Sequence, residues 1–157
     1  MAARSDADDA PVERVLVITR IFDAPRSLVF KMWTDPDELV RWQGPRGFTT
    51  TIVAGDLRPG GAYRFHMRGP EGDHWVQGIF REIVQPQRLV FTHAWSDAQG
   101  KPTGPETVIT VTFEEVDGKT RLTLRQEVFE SPTARDLHRG GWTSSLDRLD
   151  EILATAR

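Results

Sequence analysis

The feature that most constrains this chain is residues 60–95, GGAYRFHMRGPEGDHWVQGIFREIVQPQRLVFTHAW. Three strand-like runs lie there, separated by two turn clusters, Gly69-Pro70-Glu71-Gly72-Asp73 and Gln85-Pro86-Gln87-Arg88. In the first run Tyr63, Phe65 and Met67 alternate with Arg64, His66 and Arg68. A period of two gives a strand one wet face and one buried face. The buried face is unusually aromatic, and no obvious catalytic motif accompanies it. The block therefore predicts a sheet that curves around something apolar rather than a reaction centre.

The flanking segments supply the remaining elements. Residues 12–22 (VERVLVITRIF) are rich in β-branched residues and read as a strand that Asp23-Ala24-Pro25 stops. Pro25 suits the first turn of a helix, where its missing N–H costs nothing. Val29, Met32 and Trp33 then share one helical face. Asp35-Pro36-Asp37-Glu38 is a second start, with Asp at the N-cap, Pro at N1 and Glu at N3. Leu39 and Trp42 make the apolar face of that helix, which the pattern ends near Gly44-Pro45. Residues 49–54 read as a short strand. After a Gly/Pro loop at 100–105, residues 107–115 and 120–129 alternate around Asp117-Gly118, a tight hairpin signal. Ser131-Pro132 opens a long helix that runs to about Ala154. A strand, two short helices, six strands in series and one long helix give an α+β fold, not a doubly wound sheet.

On the last helix His138, Trp142, Ser145, Leu146, Leu149, Ile152 and Leu153 form one stripe at helical spacing. Gly140-Gly141 lies inside it, and each glycine costs about 1 kcal/mol against alanine there. Either the pair packs closely on the sheet, or it lets the helix curve or hinge over a cavity. The sequence leaves both readings open.

Bulk properties exclude several classes. With 157 residues the chain suits one domain, residues 12–157, preceded by a flexible polar tail at 1–11. A net charge of −3 with no basic face argues against nucleic acid as a partner. The absence of cysteine excludes disulfides, thiolate catalysis and cysteine-ligated zinc, and fits a cytoplasmic protein. No apolar run approaches the roughly 20 residues of a membrane span, and the N-terminus lacks the apolar core of a secretory signal. The four histidines have no metal-binding spacing, so no metal or other cofactor is expected. There is no G-x-S-x-G elbow. The glycine-rich turns open no helix after a strand, as phosphate loops require.

The order of these pieces resembles the START-like, SRPBCC or Bet v superfamily, and within it the AHSA-like branch named after the activator of a heat-shock chaperone ATPase. The resemblance is carried by Ala24-Pro25 with Val29 and Trp33, by Thr34-Asp35-Pro36 with Trp42, and by Gly60-Gly61-Ala62-Tyr63-Arg64-Phe65. It continues through Gly78-Ile79-Phe80-Arg81-Glu82-Ile83, Arg88-Leu89-Val90-Phe91-Thr92 with Trp95, and Gly141-Trp142 with Leu146 and Leu149. It covers about residues 12–155. It implies a helix-grip fold: a seven-stranded antiparallel sheet wrapped around the C-terminal helix, two short helices after the first strand, and an apolar pocket between sheet and helix. The eukaryotic activators carry an additional N-terminal chaperone-binding domain that this sequence lacks, so the family name is weak evidence for that activity.

The inward faces supply candidate ligand-binding residues. Trp33 and Trp42 come from the helices, and Tyr63, Phe65 and Met67 from the third strand. The fourth strand offers two faces, Gly78 and Phe80 with Glu82, or Trp75, Gln77 and Ile79 with Arg81. Phe80 inward is favoured, with a bulge near Glu82 returning Ile83 to the core. Phe91, His93 and Trp95 share a face of the fifth strand with Leu89. Phe113 and Gln126 continue the inner faces of the last two, and His138, Trp142 and Leu146 come from the final helix. The aromatic residues either fill a core or line a cavity. His93, Gln126 and His138 are polar exceptions, each either satisfied within the protein or available to orient a ligand.

Three functions follow. The first is a binding module for a small lipophilic molecule, acting as carrier, sensor or scavenger. The second is an enzyme of the polyketide cyclase or aromatase type, with His93 or His138 as candidate catalytic acid or base. The third is a co-chaperone with a heat-shock chaperone as partner. The chain is expected to be a monomer, or a homodimer through an exposed strand edge.

Overall fold

The computed structural model describes residues 14–127, 129 and 131–155. The tail expected at 1–11, the first two residues of the expected first strand and Val128 lie outside them. Seven strands form one antiparallel sheet: β1 (Leu16–Phe22), β2 (Thr49–Gly55), β3 (Ala62–Gly69), β4 (Gly72–Val84), β5 (Arg88–Ser96), β6 (Thr107–Val116) and β7 (Lys119–Glu127). Their spatial order is β1-β7-β6-β5-β4-β3-β2. Strands β2 to β7 thus form a meander, and β1 joins beside the last of them. Helices α1 (Arg26–Thr34) and α2 (Pro36–Leu39) follow β1, and α3 (Pro132–Thr155) closes the chain. This is the α+β helix-grip fold that the sequence predicts.

Each boundary has a local cause. Pro25 stands one residue before α1 as its cap, in extended conformation, because its fixed φ leads into a helix without requiring an N–H. Asp35 caps α2 by accepting the Asp37 N–H on Oδ1 at 3.0 Å. That helix is one turn only. It ends at Leu39, earlier than expected, so Trp42 lies beyond it. Trp42 is fully buried all the same, because its Nε1–H donates to Met32 O of α1 at 2.9 Å. Asp117 and Gly118 both have positive φ, 53° and 79°, and join β6 to β7 as a two-residue turn.

The fourth strand resolves in favour of the face that carries Phe80. Val76 and Phe80 face the core, and the β4–β5 register shifts between Phe80 and Glu82, which lets Ile83 pack against it. Gly78 leaves the space that Tyr63 uses: a Cβ there would overlap Thr92 O and crowd the Tyr63 ring. Through that gap the Tyr63 hydroxyl donates to Thr92 O at 2.5 Å. Burial also pushes the Tyr63 phenol well above its ordinary pKa, so it stays a donor.

The core lies between the concave sheet face and the helices. Leu146, Leu149 and Leu153 of α3 are buried there with Ile109, Val111, Leu122 and Leu124. Trp33 stacks on Trp142 at 5.8 Å and meets Trp42 edge-on at 4.7 Å. Polar contacts then fasten the C-terminal half of α3. Arg20 of β1 pairs with Asp147 at 2.7 Å. Arg148 donates to Gly44 O at 2.9 Å and Arg41 O at 3.0 Å, which holds the segment after α2 against the helix.

Candidate functional site

A cavity of about 790 Å³ opens between the sheet and the first half of α3. The sheet contributes Met67 of β3, His74 and Val76 of β4, and His93 and Trp95 of β5. Ala134, Leu137, His138, Gly141, Trp142 and Ser145 come from α3. Gln43, Pro45 and Phe48 close one end, and Asp97, Ala98 and Thr103 with Phe129 close the other. A second space of about 30 Å³ lies deeper, under α1, lined by Trp33, Leu39, Tyr63, Phe65, Phe80 and Phe91 among others. Gln43, Val76, His93 and Trp142 border both, so they form the wall between outer and inner chambers.

These chambers sort the sequence candidates. Met67, His93, Trp95, His138 and Trp142 meet at the outer one. Trp33, Tyr63, Phe65, Phe80 and Phe91 reach only the inner one. Trp42, Phe113, Gln126 and Leu146 line neither. Each of those four is a core residue, with 2% exposure or less. For Gln126 the cause is explicit. Its Oε1 accepts Trp142 Nε1–H at 2.8 Å and its Nε2 donates to Thr107 Oγ1 at 2.9 Å. Thr107 in turn donates to His93 O at 3.0 Å. This relay ties α3 to β7, β6 and β5, so Gln126 holds the wall together instead of facing the cavity.

His138 is also engaged. Trp95 Nε1–H donates to its Nε2 at 3.0 Å. Nε2 must therefore carry the lone pair, and Nδ1 must carry the proton that it donates to Ala134 O at 2.8 Å. Both ring nitrogens are used, and the neutral tautomer is fixed. His93 differs: no other residue holds its ring through a hydrogen bond among the described residues. Its ring sits edge-on to Trp95 at 5.4 Å and to His138 at 5.8 Å, with Phe129 behind His138 at 4.9 Å. Burial, the dominant cause, pushes His93 down to about 3. At neutral pH it is an uncharged group in an aromatic cage, able to give or take one hydrogen bond.

Several lining residues were not singled out from the sequence. Phe48 follows a turn, without alternation to mark it. The signal that would have found it is Gly69, where a side chain would run into the Phe48 ring. Gln43 sits between Trp42 and Gly44 with no periodic pattern. The loop 97–105 reads only as a Gly/Pro connection, but it folds back through Thr103 N–H to Trp95 O at 3.0 Å and so borders the cavity. Among the described residues no group of three or more His, Cys, Asp or Glu is placed to hold a metal ion. No described helix is long and apolar enough to cross a membrane.

A sheet gripping a long helix across a cavity defines the helix-grip class. Within it, the family model described as Activator of Hsp90 ATPase homolog 1-like protein matches residues 23–154, and the chain belongs to that family. Solved structures agree. The AHSA1 protein from Silicibacter pomeroyi is 28% identical, with a TM-score of 0.82, and the match covers 91% of this chain and 99% of that one. A protein from Arthrobacter aurescens is 27% identical, with a TM-score of 0.81 over 98% and 91% of the two chains. One from Mycobacterium smegmatis is 28% identical, with a TM-score of 0.79 over 90% and 91%. No curated protein matches the sequence.

Proposed function

We propose that this protein binds a small, largely apolar molecule in the outer cavity, as a carrier, sensor or scavenger. The observation that carries the reading is the cavity itself. A volume of about 790 Å³ lies within the range of small-molecule sites. Its wall is aromatic and aliphatic, with His93 as an uncharged polar contact. A well-packed core of this size would leave only voids near the size of a water. Aromatic faces in such a wall favour a flat or chain-like apolar ligand.

The test is native mass spectrometry of the purified protein, followed by a thermal-shift screen with aromatic and lipophilic compounds. A ligand that binds only the folded state raises the melting temperature with concentration, by about 2.7 kcal/mol of stability at a hundredfold excess over Kd. His93→Leu and Trp95→Ala should weaken that response. Failure of every apolar compound to bind, together with stimulation of a heat-shock chaperone ATPase by the purified protein, would replace this reading with the co-chaperone one.

A further inference from the structure

Trp42, Trp95 and Trp142 each donate their indole N–H to a partner: Met32 O, His138 Nε2 and Gln126 Oε1. Trp33 does not. Its ring is 94% buried and clamped between Trp42 and Trp142, and its Nε1–H is buried without a hydrogen-bond partner. Gln43 Oε1 is likewise buried and without a partner. One residue thus withholds a donor and the other an acceptor, and both line the inner chamber of about 30 Å³. Buried polar groups are ordinarily paired, and an orphan requires a specific explanation.

From this we infer that the inner chamber is a hydroxyl subsite. Its occupant accepts from Trp33 Nε1–H and donates to Gln43 Oε1. The inference rests on the outer cavity being a ligand site, and it names the ligand class: an apolar molecule ending in an alcohol or phenol. The chemistry of the pair selects this group. A hydroxyl offers one donor and two acceptor lone pairs, so it satisfies both residues at once. A ketone satisfies only the indole and leaves Gln43 Oε1 unpaired. A carboxylate brings negative charge against a carbonyl oxygen in a dry, aromatic pocket.

Size agrees with chemistry. A water needs about 10–15 Å³ of such volume, so about 30 Å³ admits a hydroxyl but not an aromatic ring. The bulk of the ligand stays in the outer cavity. Its polar end passes the wall formed by Gln43, Val76, His93 and Trp142. In the ligand-free protein the same unpaired donor and acceptor call for a water.

The test compares 4-phenylbutan-1-ol, butylbenzene and 5-phenylpentan-2-one by calorimetry on the whole protein. Gln43→Leu and Trp33→Phe should each weaken the alcohol about tenfold, the usual effect of deleting one partner of a buried hydrogen bond. Butylbenzene affinity should fall less, so that the alcohol loses most of its advantage over the hydrocarbon. Gln43→Leu leaves the aromatic core untouched and keeps the test valid if Trp33→Phe does not fold. Equal losses for alcohol and hydrocarbon in Gln43→Leu overturn the subsite while leaving the cavity reading intact. Tighter binding of the ketone than the alcohol overturns it too, since it would mean that the Gln43 amide presents its NH₂ group. If none of the three binds, the cavity reading fails for this class of ligand, and a ligand-free measurement decides the subsite. The Trp33 indole proton, identified by its loss in Trp33→Phe, should show an NMR cross-peak to a long-lived water. Absence of that cross-peak overturns the subsite.

Discussion

Acidification offers a direct probe of the cavity wall, because His93 is held neutral by its surroundings. Its pKa is about 3 in the folded protein, against the ordinary 6.5 of an exposed histidine. Below 6.5 the unfolded chain takes up a proton on this side chain and the folded protein does not. Stability therefore falls as pH falls, by about 1.4 kcal/mol per unit once pH is well below 6.5, until the folded pKa is reached. Between pH 7 and pH 5 the loss from this one group is about 2 kcal/mol. For a chain of this length that corresponds to a melting temperature about 4–8 °C lower. Other ionisable side chains border the cavity, among them His138, His74, Asp73 and Asp97, so the measurement must be differential. His93→Gln keeps a polar group of similar size and removes the titration. Urea unfolding at pH 7 and pH 5, followed by circular dichroism, should show the variant losing about 2 kcal/mol less than the parent. Parallel losses in both proteins, or an NMR titration of His93 near 6.5, would refute the claim that this ring is buried against the cage.

Other expectations are more local. Gly140→Ala should stabilise the protein by about 1 kcal/mol, or roughly 2–4 °C in melting temperature, because no atom lies within 4 Å of the added Cβ. A loss of stability there would show that α3 needs a glycine for its path over the cavity. Gly78→Ala should cost about 2 kcal/mol or more in chemical denaturation, since its Cβ would meet the rigid backbone at Thr92 O. Arg148→Met should cost about 2 kcal/mol by removing charged donors to Gly44 O and Arg41 O. It should also raise amide hydrogen exchange in residues 41–48, and unchanged exchange would mean that this segment is held by other contacts.

Much of the architecture was legible because it rests on local rules. Alternation in 63–68, 107–115 and 120–129 fixed the inward faces, and Asp117-Gly118 fixed a hairpin. Even the bulge before Ile83 followed from the need to return an isoleucine to the core. The apolar pattern carries the second helix on to Trp42, whereas the helix ends at Leu39 and a hydrogen bond to Met32 O places Trp42. For Gly140-Gly141, the close-packing reading is not supported: Gly140 faces open space, and Gly141 has only Pro45 Cγ, at 3.7 Å. The roles of polar residues were the least legible, because a satisfied Gln126 and an unsatisfied Gln43 look alike as letters.

Residue type and period alone determined the strands, the faces of all but the fourth, the starts of the two short helices and the apolar stripe of α3, because each depends on neighbours within a few positions. The tertiary structure alone decided which aromatic residues fill space and which enclose it. Trp33, Trp42 and Trp142 share one cluster, yet two of the three find a hydrogen-bond partner and one does not. That difference depends on groups brought together from distant parts of the chain, and only the folded geometry can satisfy a donor or leave it open.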